Sequence, residues 1–218
     1  MIRWGYTERD GPEMVLTHLS ENGSVSSVLF VGAGFGVDYA PIIKCIRARN
    51  SQCRVIFSDV SDITTREVQE IDAAGGEFVL IDVLEEPPSF LQADITLAFG
   101  LFSPQVIWGN NAQKAITNIA KLTCPGGLIV ASTRQEYAAE FEVILELAGL
   151  TRACEKKTGY DQSVAYDKHQ FRKGWKGWSL GHHYPGYEHF DNLDDAYLAY
   201  LNEQIRRTNF YIKNDTII

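Results

Sequence analysis

Directly after the apolar run Val28-Leu29-Phe30-Val31 the chain reads Gly32-Ala33-Gly34-Phe35-Gly36, three glycines at alternate positions. Glycine takes up backbone conformations that side chains forbid, and it lets a ligand come against bare main chain. Between a strand and a helix, such a turn offers free N–H groups and the positive end of a helix dipole. That combination suits a nucleotide or a carboxylate-bearing cofactor. The pattern is GxGxG. Val37 stands where a dinucleotide fingerprint has its last glycine, and no Gly-Lys-Ser/Thr follows to make a P-loop.

Acids follow in register with this loop. Asp59 closes the apolar run Arg54-Val55-Ile56-Phe57-Ser58, where a carboxylate can accept hydrogen bonds from both hydroxyls of a ribose. Asp82 closes Leu80-Ile81, where a carboxylate can accept from an exocyclic amine. Cys124-Pro125-Gly126-Gly127 is a turn signal ahead of Leu128-Ile129-Val130-Ala131. Singly, each aspartate is equally well read as a turn residue or helix cap; the ordered set is what points to a cofactor.

That order resembles the class I S-adenosylmethionine-dependent methyltransferases over residues 25–157. The resemblance implies S-adenosyl-L-methionine as cofactor. Gly32, Gly34 and Gly36 would pass under its methionine part, Asp59 and the adjoining Val60 would meet its ribose, and Asp82 and Val83 would lie near the adenine. Gly100, Leu101 and Phe102 would line it at the end of the fourth strand. One position departs from the family: two residues before the first glycine, where an acid is usual, stands Phe30. Asp38 and Asp94 are the candidates to replace it.

The segment from Tyr160 to Phe190 is rich in aromatics, glycine and histidine. His182 and His183 are the candidate catalytic residues, since imidazole suits general-base work near neutral pH. A structurally satisfied histidine is the competing reading, as core or lid packing is for Trp175, Trp178, Tyr184 and Tyr187. The same holds for Trp4 and Tyr6, which can belong to an N-terminal flap. Leu101-Phe102-Ser103-Pro104 does not match the [Asp/Asn/Ser]-Pro-Pro-aromatic tetrapeptide of nucleic-acid methylation. Other readings are a non-catalytic cofactor-binding scaffold, an aminopropyltransferase-like enzyme and a nicotinamide oxidoreductase; Ala98-Phe99-Gly100-Leu101 lacks the acids of the second and Val37 disfavours the third.

The elements that must hold these residues follow from periodicity. Short apolar runs predict strands at Ser27–Val31, Arg54–Ser58, Glu77–Ile81, Ile95–Phe99, Leu128–Ala131 and Thr151–Lys157. Between them, helical spacing predicts Val37–Arg49, a helix capped at Ser61 or Asp62 and ending at Ala74, Gln105–Leu122 with Val106 facing inward, and Tyr137–Ala148. Asp191–Arg207 reads as a helix and Asn209–Lys213 as a closing strand. Alternating strands and helices build right-handed βαβ units. The expected fold is α/β: Rossmann-like, doubly wound, with a mostly parallel seven-stranded sheet, helices on both faces and a C-terminal elaboration. Residues 1–218 read as one domain, divided into a flap (1–24), a cofactor-binding core (25–157) and a substrate-side elaboration (158–218).

The 218 residues carry a formal charge of −8 and are 45% hydrophobic. An acidic chain repels phosphate backbones, so a small-molecule acceptor is expected and nucleic acid is not. No apolar run is long enough for a membrane span and the start has no signal-peptide character, so a cytoplasmic protein is expected. Cys45, Cys53, Cys124 and Cys154 form no CxxC pair, and they are expected as reduced buried thiols, with no metal site.

Overall fold

The computed structural model describes residues 15–17, 19, 25–33, 38–61, 63–104, 106–134, 137–157, 167–177, 187–197 and 207–213. Its elements are β1 (Ser27–Val31), α1 (Tyr39–Arg47), β2 (Arg54–Asp59), α2 (Thr65–Ala73), β3 (Glu77–Leu80) and β4 (Ala93–Phe102). After them come α3 (Asn110–Lys121), β5 (Thr123–Arg134), α4 (Ala138–Leu147), β6 (Thr151–Lys157), α5 (Asp167–Gly174) and β7 (Arg207–Lys213).

Strands bond in the order β3-β2-β1-β4-β5-β7-β6. The pairs from β3 through β5 are parallel, and β7 runs antiparallel to both β5 and β6. All five residues of β1 are buried, as a central strand covered on both faces requires. Its alternate residues serve separate cores. Leu29 and Val31 pack with Ile116, Ile119, Phe141 and Leu145 of α3 and α4. Val28 and Phe30 pack with Ile42, Ile43 and Ile46 of α1 and Ile71 of α2. One strand feeding two apolar layers is the physical content of a doubly wound sheet. Val15 and Leu19, within the expected flap, are buried in the second of these layers. A third cluster joins Phe171 and Trp175 to Tyr187, Ala196 and Tyr197.

Several boundaries differ from the periodic reading. The N-cap of α2 is Thr64, not Ser61 or Asp62: its hydroxyl accepts from Glu67 N while its own N–H donates to Glu67 Oε2 at 2.9 Å, a reciprocal box that needs Glu or Gln three residues on, where Ser61 and Asp62 have threonines. Helix α3 starts at Asn110 rather than Gln105, because the chain first turns back so that Ile107 bridges to Phe102 and Ser103. Val106, expected inside, is therefore 59% exposed. Strand β5 is longer than expected because Thr123 already pairs with Ala93; Pro125-Gly126-Gly127 then bulges out before Leu128 pairs with Ile95. A Cβ on Gly127 would stand 2.8 Å from the carbonyls of Asp94 and Cys124. Cys53 is buried, whereas Cys45 and Cys124 are only partly so. No helix among the described residues is long and apolar enough to cross a membrane.

Candidate functional site

The strand order reverses between β1 and β4, since the chain builds β1, β2 and β3 outward on one side and then crosses to the other. In parallel sheets the ligand crevice lies there, outside the carboxyl ends of the strands. Gly32 leaves β1 at that point with φ at +65°, in the left-handed region. Ala33 N–H donates to Ser58 O at 3.0 Å, tying the crossover to β2. Across the crevice, a Cβ on Gly32 would come within 3.1 Å of Leu101 Cδ1 of β4. Gly34 and Gly36 lie outside the described residues, as do His182, His183, Trp4, Tyr6, Trp178 and Tyr184.

Asp59 ends β2 half-buried, its Oδ1 accepting from Ser61 N and Ser61 Oγ at 3.3 and 3.4 Å. Beside it Val60 is 66% exposed. Asp82 is exposed and accepts from Leu84 N–H at 2.8 Å, a local Asx turn. The loop bearing it is anchored from below: buried Asn118 of α3 donates its amide to Val83 O at 2.9 Å and Glu85 O at 2.7 Å. Val83's side chain packs in the core beneath the loop.

At the end of β4, Gly100 has φ at +70° and its N–H donates to Ser132 Oγ of β5 at 3.1 Å. This kink falls within the register shift between Ala98 and Phe102 and leaves Leu101 partly exposed at the edge. Phe102 turns inward. Its ring is buried against Phe141, with centroids 4.6 Å apart, and its carbonyl accepts from Thr133 Oγ1 at 2.8 Å. Its side chain is thus a packing group, as is that of Val83.

Neither candidate for the missing acid is equivalent to the other. Phe30 itself is buried and stacks on Phe57 at 4.7 Å. Asp94 sits at the amino end of β4, seven residues before Leu101, or roughly 20 Å along the strand. Its Oδ2 accepts from the N–H and hydroxyl of both Ser26 and Ser27. Burial pushes the Asp94 carboxyl up, but these bonds outweigh it and hold its pKa below the ordinary value. Asp94 therefore joins β1 to β4 at the far edge and cannot replace the acid. Asp38 is at the right edge, at the N-cap of α1, and makes no side-chain cap bond there.

Sequence reasoning passed over two features of this edge. Tyr39, the first residue of α1, is buried edge-on against Phe57 at 4.9 Å. Burial, and then the fields of Glu67, Asp59 and Glu70, raise its pKa to about 12, so the phenol stays neutral beside Asp59. Trp108, on the loop after β4, donates its indole N–H to Glu140 Oε2 at 3.1 Å and meets Tyr137 at 5.4 Å between centroids. Both are polar-tipped aromatics close to a predicted strand or helix end, and the fold sets them at the carboxyl edge of the sheet. Trp175 and Tyr187, by contrast, are buried with Phe171, and Lys176 lies 4.3 Å over the Trp175 ring.

No protein-family model matches the chain, and no curated protein matches it. Solved structures do. The chain is similar to a candidate sarcosine dimethylglycine methyltransferase from Galdieria sulphuraria (TM-score 0.60, 13% identity, covering 100% of this chain and 95% of that one). It is similar to N-methyltransferase NodS from Bradyrhizobium japonicum WM9 in complex with S-adenosyl-L-homocysteine (TM-score 0.54, 16% identity, 95% and 87% covered). It is also similar to 1,6-didemethyltoxoflavin-N1-methyltransferase from Burkholderia thailandensis with bound 1,6-didemethyltoxoflavin and S-adenosylhomocysteine (TM-score 0.56, 15% identity, 94% and 76% covered). The chain has the Rossmann-like fold of the class I methyltransferases.

Proposed function

We propose that this chain is an enzyme that binds S-adenosyl-L-methionine and transfers its methyl group to an oxygen or nitrogen of a small molecule. The observation that carries the reading is the left-handed Gly32 at the reversal of strand order, with Asp59 ending the adjacent strand. A side chain at position 32 would be strained in the left-handed backbone and would press on Leu101, so glycine leaves the main chain bare at this crossover. The three solved methyltransferases of the same fold, two of them holding the demethylated cofactor, support the choice of nucleoside.

When bound, the cofactor supplies an electrophilic methyl group on a sulfonium, open to in-line displacement by an acceptor lone pair. The chain's own residues do the rest. Asp59 accepts hydrogen bonds from the ribose hydroxyls, with Val60 beside it, and Asp82 accepts from the adenine amine. The main chain of Gly32, Gly34 and Gly36 carries the amino-acid end. Leu101, with Gly100 and the Phe102 main chain behind it, fences the crevice and limits water. His182 or His183 takes the proton that an O–H or N–H acceptor must lose. The charge of −8 supports a small acceptor over a polyanion.

Phe30 in place of the usual acid favours a second reading, a cofactor-binding protein without transferase activity. Calorimetric titration with S-adenosylmethionine, S-adenosylhomocysteine and NADH tests the first claim: the two sulfur nucleosides bind and NADH does not. Binding of NADH alone, or of none, overturns it. Transfer of labelled methyl to small-molecule extract then separates enzyme from binding protein.

A further inference from the structure

We infer that Trp108, Tyr137 and Glu140 form the acceptor side of the crevice and select an organic cation, an amine or ammonium group on a small molecule. The inference rests on the methyltransferase reading for the word acceptor, but not for the binding chemistry.

Location comes first. After β4 the chain folds back on itself, with Val106 N–H donating to Ser103 O at 3.0 Å and Ile107 bridging to Phe102 and Ser103. Trp108 therefore stands next to the carboxyl end of β4, where Leu101 faces Gly32. Tyr137 comes from the loop that follows β5, immediately before α4. Two loops from neighbouring strands thus meet at the same edge of the sheet. Phe141 lies behind the first of these loops, 6.4 Å from Trp108 and 4.6 Å from Phe102 between centroids.

Shape and charge then narrow the ligand. The Trp108 and Tyr137 rings are tilted 59° to one another, so they make a corner. A flat ring can stack on only one wall of such a corner; a compact cation touches both. Both residues are half-buried, while Glu140 is exposed. The indole N–H is committed to Glu140 Oε2, which fixes the ring and sets a carboxylate at its edge. Indole and phenol faces attract a cation through their quadrupoles, tryptophan most strongly, and a carboxylate beside them adds the opposite charge.

The test uses the full chain with S-adenosylhomocysteine present and a matched pair of probes: choline, and its neutral carbon isostere 3,3-dimethylbutan-1-ol. NMR titration measures each. Choline is expected to bind roughly tenfold more tightly than the isostere, the range a partly desolvated cation–π contact supplies. Trp108→Leu and Tyr137→Leu should each abolish that preference, Trp108→Phe should restore most of it, and Glu140→Gln should weaken choline alone. Affinity for S-adenosylhomocysteine should be the same in every variant, which also certifies their folding. Equal affinity for the two probes in the wild-type chain, or no binding of choline, overturns the inference. Failure of S-adenosylhomocysteine to bind overturns the cofactor reading instead, and the preference between the two probes, measured without it, still decides the corner.

Discussion

Replacing Gly32 by alanine tests the crossover at its tightest point. The native φ of +65° costs an L-residue about 1–2 kcal/mol. The added Cβ would stand 3.1 Å from Leu101 Cδ1, inside the ordinary carbon contact of about 3.5–4.0 Å. That neighbour is the end of a partly exposed side chain, able to yield by a few tenths of an ångström, so the backbone sets the cost. The expected loss is about 1–2 kcal/mol, which for a chain of this length lowers Tm by roughly 2–8 °C. Denaturant titration measures the first and calorimetry the second. In Gly32→Ala/Leu101→Ala the steric contact is gone and the φ strain is not, so the double variant should lose at least the sum of the single losses, less a few tenths. The binding effect is separate from the stability effect and of the same order. The methyl group occupies the approach to the main chain, and affinity for S-adenosylhomocysteine should fall at least about tenfold, or 1.4 kcal/mol. A Gly32→Ala protein that keeps full affinity refutes the cradle, whatever its stability.

Asp59→Ala should weaken S-adenosylhomocysteine by about 2–4 kcal/mol, roughly 30- to 900-fold, through two lost charge-assisted hydrogen bonds; an unchanged Kd by calorimetry would remove Asp59 from the site. Asn118→Ala strips two carbonyls of their donor beneath the Asp82 loop, so about 2–3 kcal/mol of stability should go, with a parallel loss of cofactor affinity that a purely structural role elsewhere would not give. Asp94→Asn should cost about 1–2 kcal/mol near neutral pH, allowing for partial exposure. Because the Asp94 carboxyl is the stronger acid in the folded chain, its contribution is complete above the ordinary range near about 4 and fades as pH falls through the lower folded value. Wild type and variant should therefore converge in acid; divergence there contradicts the assignment. Turnover with His182→Ala and with His183→Ala, cofactor affinity being unchanged, should drop at least about a hundredfold in one of them; full activity in both ends the general-base proposal.

Much of the fold was legible because buried parallel strands write themselves as unbroken apolar runs: Val28 to Val31 and Val55 to Phe57 are buried throughout. The site was legible to the extent that its residues lie at strand ends, where Gly32, Asp59 and Asp82 could be counted off in register. What escaped depends on distance in sequence. Asp94 looked like a spare acid until its four bonds to Ser26 and Ser27, 68 and 67 residues away, set it at the opposite edge. Trp108 and Glu140 are 32 residues apart, and no periodicity links them. Val106 fitted the helical pattern; the bridge from Ile107 to Phe102 overrode it. Ser61 and Asp62 were read as the cap ahead of α2, and it is the box between Thr64 and Glu67 that places the cap at Thr64 instead.

The two edges of the sheet use polar groups in opposite ways. At the amino edge they are bonded across strands: Asp94 clamps β1 to β4, and Thr123 Oγ1 engages both Thr96 Oγ1 and Ile119 O at 2.8 Å, joining β5 to β4 and α3. Such bonds carry stability and cannot be redirected to a ligand without releasing the sheet. At the carboxyl edge the hydrogen bonds of Asp59 and Asp82 to Ser61 and Leu84 span two residues of the same loop. These bonds shape a loop and hold no strand pair together, so a ligand can compete for the carboxylates without cost to the core. Long-range anchoring of the loops is delegated to groups underneath, Asn118 below Asp82 and Ser132 behind Gly100. A rigid floor under acids that bond within their own loops is what preorganised binding of a polar nucleoside requires, and it is why removing Asn118 should cost affinity as well as stability, whereas removing Asp94 should cost stability alone.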